Sequence, residues 1–331
     1  MPPEGLIYYP DSRPGIRRQR RGRGFSYLAP DGTRIDDTRE RARIHALAVP
    51  PAYEDVWICP RRNGHLQATG RDVKSRKQYR YHEEWTAYRA QQKFDHLADF
   101  GRVLPALRRR ITAGLRAETG EEELALASVL ALLDRLSLRV GTSAYAEENG
   151  TYGATTLRAK HLRLKDGEIR LSYTAKGQKK VTKRLRHKSL HKALEQIHDL
   201  PGGELMTWVD ESGEQRCVTS CQVNDFISDM AGTGVTAKSF RTWNGTLAAL
   251  RAARAASDRD EAVTIKIMAE AASDELSNTP TIARNSYIHP AVIDLAEEGG
   301  AKRLARAYAK PAEIAGLRAG EGALIALLER G

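Results

Sequence analysis

The chain reads as an α+β protein. A small β-rich N-terminal domain, residues 1–90, precedes a larger, mainly α domain, residues 91–331, which carries a small antiparallel β-sheet. Three observations predict this. Short runs bounded by turn residues fill the first ninety positions. Apolar residues at helical spacing take over from there. Between residues 161 and 185 two turn signals separate three short strands. The 331 residues are enough for two cores, and a hydrophobic content of 41% is ordinary for a globular chain.

In chain order, RPGIRRQRRGRG (13–24) crowds six arginines and reads either as a solvated arm or as an arm that binds phosphates. FSYLAPDGTRI (25–35) predicts a hairpin turning at Pro30, Asp31 and Gly32. DVWICP (55–60) and GHLQATG (64–70) are further strands. Helical periodicity then runs through 83–100, 103–117 and 121–139. HLRLKDGEIRLSYTAKGQKKVTKRL (161–185) turns at Lys165–Gly167 and Ala175–Gly177, which places Lys176 at a hairpin tip. From Thr174 to Lys192 there are eight Lys or Arg and no acid, a stretch that gains most against a polyanion. Helices resume to the end, with a polar, glycine-interrupted tail from Glu297.

Fifty-three Lys and Arg against forty-two Asp and Glu leave a net charge of +11, which suits a partner rich in phosphate. A membrane is the poorer match. The longest apolar run, LALASVLALL (124–133), is about half a span and is flanked by acids. MPPEGLIYYP lacks the basic-then-apolar order of a signal peptide. Cys59, Cys217 and Cys221 are read as free thiols in a reducing cytoplasm, with no zinc site.

Two motifs are decoys. GTGVTAKS (232–239) nearly matches a phosphate loop, but Ala237 stands where that loop needs glycine and no convincing strand precedes it. His187 and His191 have metal-ligand spacing, yet they lack the intervening glutamate and sit in a cationic run that repels a metal.

Arginines able to fork onto phosphate oxygens are Arg139, in RLSLRVGTSAY, and Arg241, near the start of the helix SFRTWNGTLAALRAARAA (239–256). Taken in order, Arg139, Lys176, Arg241, Asn278 and Tyr287 resemble the active site of the type IB DNA topoisomerases, in their small bacterial and poxvirus-like branch. The matching segments are RLSLRVGTSAYAEENGTYGATTLRAKHL, SYTAKGQKK, KSFRTWNGTLAAL and LSNTPTIARNSYIHP. In the N-terminal half, PPAYEDVWICP and GRDVKSRKQYRYHEEW look like the family's β-rich clamp.

The resemblance covers roughly residues 16–298 and implies a tyrosine recombinase/topoisomerase IB-like fold. It implies two lobes closing around duplex DNA, with the connection near residue 90 as hinge. It also implies a monomer in the cytoplasm, associated with the nucleoid, that relaxes supercoiled DNA with no metal, ATP or other cofactor. Tyr287 would attack a backbone phosphorus and form a 3′-phosphotyrosyl bond. Arg139 and Arg241 would stabilise the transition state, Lys176 would protonate the leaving 5′-oxygen, and Asn278 would hydrogen-bond a phosphate oxygen. Asn278 departs from the histidine that many members carry there; an amide donates a hydrogen bond but moves no proton near neutral pH. Gln78, Tyr79 and Tyr81 match DNA-groove contacts, and Lys238 matches a DNA-contacting lysine. Tyr145, Tyr152 and Tyr173 are read as packing or surface groups.

Two rivals remain open. A tyrosine site-specific recombinase uses a similar constellation, but usually has histidine where Lys238 stands. A non-catalytic DNA-binding protein of the same fold would bind DNA without forming an adduct.

Overall fold

The computed structural model describes residues 3–330 except 23, 201 and 233, and without the side chains of residues 90–93 and 145. Arg23 of the arginine run, Thr233 of the 232–239 stretch and the side chain of Tyr145 therefore lie outside the described residues. The chain divides into two compact units, Met1–Asp95 and His96–Gly331.

The first unit is built on β1 (Ile16–Arg21), β2 (Gly24–Leu28), α1 (Thr38–Ala46), β3 (Glu54–Ile58), β4 (Leu66–Arg71), β5 (Lys77–Tyr81) and α2 (Glu83–Asp95). The strands form one antiparallel sheet in the order β2-β1-β3-β4-β5. Ile16, Tyr27, Ile44, Val56, Ile58 and Ala68 make its core.

The arginine run is not an arm. It is β1, whose outward positions tolerate charge while Ile16 is buried. Arg18 is structural. It donates to the carbonyls of Val49, Pro50 and Tyr53, and its guanidinium lies 4.2 Å from the Phe25 ring centroid. Residues 25–35 fold back at 30–32 as expected: Leu28 bridges Arg34 in antiparallel fashion, the Ala29 amide donates to the Thr33 carbonyl and the Ile35 amide to the Tyr27 carbonyl, but the return limb is short and the main partner of β2 is β1.

The second unit contains α3 (Leu97–Gly114), α4 (Glu122–Leu136), α5 (Ser143–Asn149), β6 (Leu162–Lys165), β7 (Glu168–Ala175), β8 (Lys179–Arg186) and α6 (Lys188–His198). A two-stranded ribbon follows, β9 (Thr207–Val209) with β10 (Gln215–Cys217), which the periodicity does not predict. Then come α7 (Ser220–Ala231), α8 (Ala237–Ser257), α9 (Ile265–Leu276), α10 (Pro280–Tyr287), α11 (Pro290–Ile293), α12 (Gly300–Ala309) and α13 (Glu321–Leu328). Strands β6-β7-β8 form the expected three-stranded antiparallel sheet.

The apolar run 124–133 lies in α4, eleven of whose fifteen residues are buried, so it is a helix enclosed by protein on nearly all sides. No described helix is long and apolar enough to cross a membrane. The break in helical periodicity falls at His96 rather than near residue 101; Pro105 sits inside α3, buried, with its Cβ facing Gly316.

The tail from Glu297 is not a loose polar extension. Residues 321–327 of α13 are all buried. Glu321 accepts from Arg108 at 2.7 and 2.8 Å and from the Trp243 indole at 3.1 Å. Arg108 also binds Asp134 of α4, which in turn meets Arg318. In this cluster each buried charge has an opposite partner, and deleting one member strands the others at about 3–5 kcal/mol.

Candidate active site

Helix α4 ends at Leu136, and Ser137 takes the left-handed conformation there (φ 54°). This turns the chain so that Arg139 lies three residues past the helix instead of within it. Helix α9 ends the same way at Ser277 (φ 52°), delivering Asn278. Arg139 Nη2 donates to Asn278 Oδ1 at 2.6 Å.

Arg241 projects from the second turn of α8 and is only 3% exposed. One guanidinium nitrogen donates to the Ser137 carbonyl and another to the Leu276 carbonyl at 3.1 Å. It thus spans the two helix ends that present Arg139 and Asn278. Those ends carry carbonyls that lack intrahelical donors and an excess of negative dipole, so they are natural seats for a buried cation.

Tyr287 is the last residue of α10, which starts at Pro280 with Thr279 as its cap. Its ring centroid lies 5.0 Å from the Arg241 guanidinium carbon, so that the guanidinium charge bears directly on the phenol. Gly245, one turn along α8, is the close-approach point. A Cβ there would stand 3.2 Å from the Tyr287 carbonyl oxygen and 3.3 Å from its Cβ. The neighbouring Thr246 hydroxyl donates to that carbonyl at 3.0 Å.

The electrostatics follow from this packing. Burial works to raise the Tyr287 phenol, but Arg241, then Arg139 and Lys238, outweigh it and hold the phenol below the usual tyrosine range. Tyr173, also close to both arginines, is pushed up to about 12 by burial. The same cationic setting therefore lowers one phenol and leaves the other a protonated packing group. Burial lowers Arg241, and Arg139 beside it adds to the effect. Among the described residues, two of the buried donors without a hydrogen-bond partner belong to this site, Arg241 Nε and Asn278 Nδ2, the latter on a residue 7% exposed. Each such donor costs roughly 1–3 kcal/mol until an acceptor reaches it, and an anionic oxygen is the strongest acceptor available.

Four residues singled out in the sequence, Arg139, Arg241, Asn278 and Tyr287, are thus brought together. Lys176 is exposed at the β7–β8 tip, where Gly177 (φ 80°) and Gln178 (φ 60°) make the turn. It joins Arg139, Gly141 and Tyr152 in lining a cavity of about 140 Å³. Lys238 is exposed on α8, three residues before Arg241.

Gln78, Tyr79 and Tyr81 belong to the first unit, on the edge strand β5. Tyr79 and Tyr81 are 49% and 46% exposed, with rings stacked at 6.0 Å. Strand alternation puts Gln78 on the opposite face, where it donates to Asp72 at 3.0 Å.

The decoys resolve as structure. Stretch 232–239 follows a helix, not a strand, and leads into α8. His187 caps α6 by accepting from the Leu190 amide. Cys59, Cys217 and Cys221 are free. Among the described residues no three His, Cys, Asp or Glu stand close enough to hold a metal ion.

Several residues that shape the site are not singled out by the sequence reading. Ser137 and Asn244 back Arg241: the Asn244 amide donates to the Ser137 hydroxyl at 2.9 Å and to the Asp134 carbonyl at 3.1 Å. Lys179 and Lys183 meet the end of α9. The alternation Lys179-Val181-Lys183, two lysines flanking an apolar residue on one strand face, was the available clue.

A family model for the catalytic core of eukaryotic DNA topoisomerase I matches residues 77–293, and one for the N-terminal domain of bacterial DNA topoisomerase IB matches residues 24–72. The chain belongs to the type IB DNA topoisomerases. It is 28% identical over 292 residues to DNA topoisomerase 1B of Acanthamoeba polyphaga mimivirus, covering 85% of this chain and 87% of that protein. Among solved structures it is similar to XerH site-specific recombinase bound to difH in pre-cleavage and post-cleavage complexes. Both likenesses are slight, with a TM-score of 0.36 and 14% identity, and cover 61% of this chain and 51% or 50% of the recombinase chain. The protein is therefore a DNA topoisomerase of α+β fold, as its sequence predicts. Helices α12 and α13 lie beyond the part that the catalytic-core family matches.

Proposed function

We propose that this enzyme relaxes supercoiled duplex DNA as a monomer, by transient cleavage of one strand through a 3′-phosphotyrosyl bond at Tyr287 and resealing. The reaction needs neither ATP nor a metal, because one phosphodiester is exchanged for another of similar energy. The observation that carries this reading is the Tyr287 phenol held against the buried Arg241 guanidinium, with Arg139 and Asn278 alongside. A phenol with a pKa of about 10 is a weak nucleophile at neutral pH, and a cationic setting corrects that.

In this reading Arg139, Arg241 and the Asn278 amide receive the nonbridging oxygens, whose charge grows in the pentacoordinate transition state. Lys176 supplies a proton to the departing 5′-oxygen, an otherwise strongly basic alkoxide. Gln78, Tyr79 and Tyr81 contact the DNA groove, and Lys238 a phosphate near the cleavage point. The place of action is the cytoplasmic nucleoid. Lys238, standing where recombinases usually have histidine, favours relaxation over recombination.

The test is Tyr287→Phe on a supercoiled plasmid and on a nicked suicide duplex, with chelator in excess. The expected result is loss of relaxation and of the denaturant-stable DNA adduct, with duplex binding retained and wild-type relaxation indifferent to chelator. A phenylalanine variant that still nicks DNA overturns the assignment of the nucleophile.

A further inference from the structure

The cationic run 174–192 is not all solvent-facing. Along β8, alternation places Lys179, Val181 and Lys183 on one face and Lys180, Thr182 and Arg184 on the other. The first face turns inward: Val181 is 4% exposed, and the β7 residues opposite it and its neighbours, Ala175, Tyr173 and Leu171, are buried. Lys183 is thus half-buried on that face, while Lys179, nearer the tip, stays exposed and reaches α9 by its side-chain end.

Both end on the carbonyls that finish α9. Lys183 Nζ donates to the Glu275 carbonyl at 2.6 Å, and Lys179 Nζ to the Asn278 carbonyl at 2.9 Å. Arg241 takes the Leu276 carbonyl between them. A helix C-terminus offers such carbonyls unpaired and favours cations.

Asn278 keeps three other anchors: its amide donates to the Ser273 carbonyl, the Ser273 hydroxyl donates to its carbonyl, and Arg139 grips its side chain. Near its tip the β7–β8 hairpin is also joined to the segment before it, by the Gln178 amide on the Asn149 carbonyl and the Tyr152 amide on the Thr174 carbonyl. Loss of a lysine therefore removes one of the hairpin's links to α9, while the Asn278 end keeps its own anchors.

We propose that Lys179 and Lys183 are positioning residues that tether the β7–β8 hairpin to the end of α9 and so fix Lys176 relative to the Tyr287 phenol. This rests on the reading of Lys176 as proton donor. In that step a lone pair of the Tyr287 oxygen forms the O–P bond, and the phenol proton leaves to water. The P–O5′ bond breaks with its pair on O5′, which takes a proton from Lys176. The tethers touch no reacting atom; they set the distance over which that proton moves.

The experiment compares single-turnover cleavage of a suicide duplex with cleavage of the same duplex bearing sulfur at the bridging 5′ position. A thiolate leaves without a proton, since a thiol has a pKa of only about 8.5. Lys179→Met and Lys183→Met are expected to slow cleavage of the oxygen substrate roughly 10- to 100-fold, the range for a sub-ångström to ångström misplacement. On the sulfur substrate they are expected to cleave within about threefold of wild type. Duplex affinity by fluorescence anisotropy stays unchanged, and Lys179→Arg restores most of the rate.

Equal losses on both substrates overturn the proposal, because the lysines would then serve the phosphate or the fold at large. No loss on either overturns it as well. Lys176→Met is run in parallel: if sulfur does not spare that variant, the proton-donor reading falls and the tethering role falls with it. If sulfur spares Lys176→Met but not the Lys179 and Lys183 variants, only the tethering role falls.

Discussion

Gly245→Ala is expected to slow strand cleavage while leaving the fold standing. The added Cβ would lie 2.8 Å from Leu276 Cδ1, 3.2 Å from the Tyr287 carbonyl oxygen and 3.3 Å from the Tyr287 Cβ. The leucine methyl sits at the end of a side chain and can rotate or shift. The Tyr287 backbone can only move away, by a few tenths of an ångström. Alanine in a helix interior gains about 1 kcal/mol over glycine, whereas overpacking costs about 1–3 kcal/mol. The net loss of stability is thus at most about 2 kcal/mol, a shift of several degrees in Tm for a unit of this size. Tyr287, acting as the proposed nucleophile, would feel the displacement more keenly. If 1 Å of misplacement costs about 100-fold, a few tenths cost roughly tenfold or somewhat less. Rapid-quench cleavage of a suicide duplex measures the rate, with Tm and duplex affinity followed in parallel. A wild-type cleavage rate would refute the claim that α8 sets the position of the phenol.

Three other outcomes are expected. Asn278→His keeps most of the cleavage rate, because the ring can still hydrogen-bond a phosphate oxygen; a fall as large as that of Arg241→Ala, about 100- to 1000-fold in single-turnover assays, would contradict this. In a near-ultraviolet phenolate titration of the free enzyme, the component lost in Tyr287→Phe appears below about pH 10, well under the Tyr173 component near 12, and moves upward in Arg241→Ala. Burial raises the Glu321 carboxyl, but Arg108 outweighs it and leaves it below the usual glutamate range. Its stabilising effect is therefore present above the unfolded-state pKa of about 4.3 and lost as pH falls through the lower folded value. Glu321→Gln should lower stability by about 3–5 kcal/mol at pH 7, with the gap to wild type narrowing below about pH 4; a gap of constant size in unfolding experiments would argue against the ion pair.

The parts of this enzyme legible in its sequence are those governed by near neighbours. The Lys165–Gly167 and Ala175–Gly177 turns announce the three-stranded sheet, because turn chemistry is local. The order of Arg139, Arg241, Asn278 and Tyr287 is legible through its family pattern, and all four converge in space. What stayed hidden depends on distant partners. The arginine run becomes β1 because β2 and β3 pair with it and Ile16 reaches the core. Lys179 and Lys183 look like two more solvated charges until α9, far along the chain, supplies their carbonyls. The burial of α13 depends on Arg108, 213 positions earlier, so a window around Glu321 shows only a glycine-flanked apolar run.

That separation has a consequence for biosynthesis. Arg108 and Asp134 leave the ribosome long before Glu321 exists to neutralise the first of them. At about 5–20 residues per second the interval is roughly 10–40 s. During it the nascent chain already holds both arginines and, late on, the tyrosine, but its core is unfinished. A translation product halted before residue 321 would expose the sides of α3 and α8 that α13 covers, and should be caught by chaperones or proteases rather than released as a half-competent nuclease.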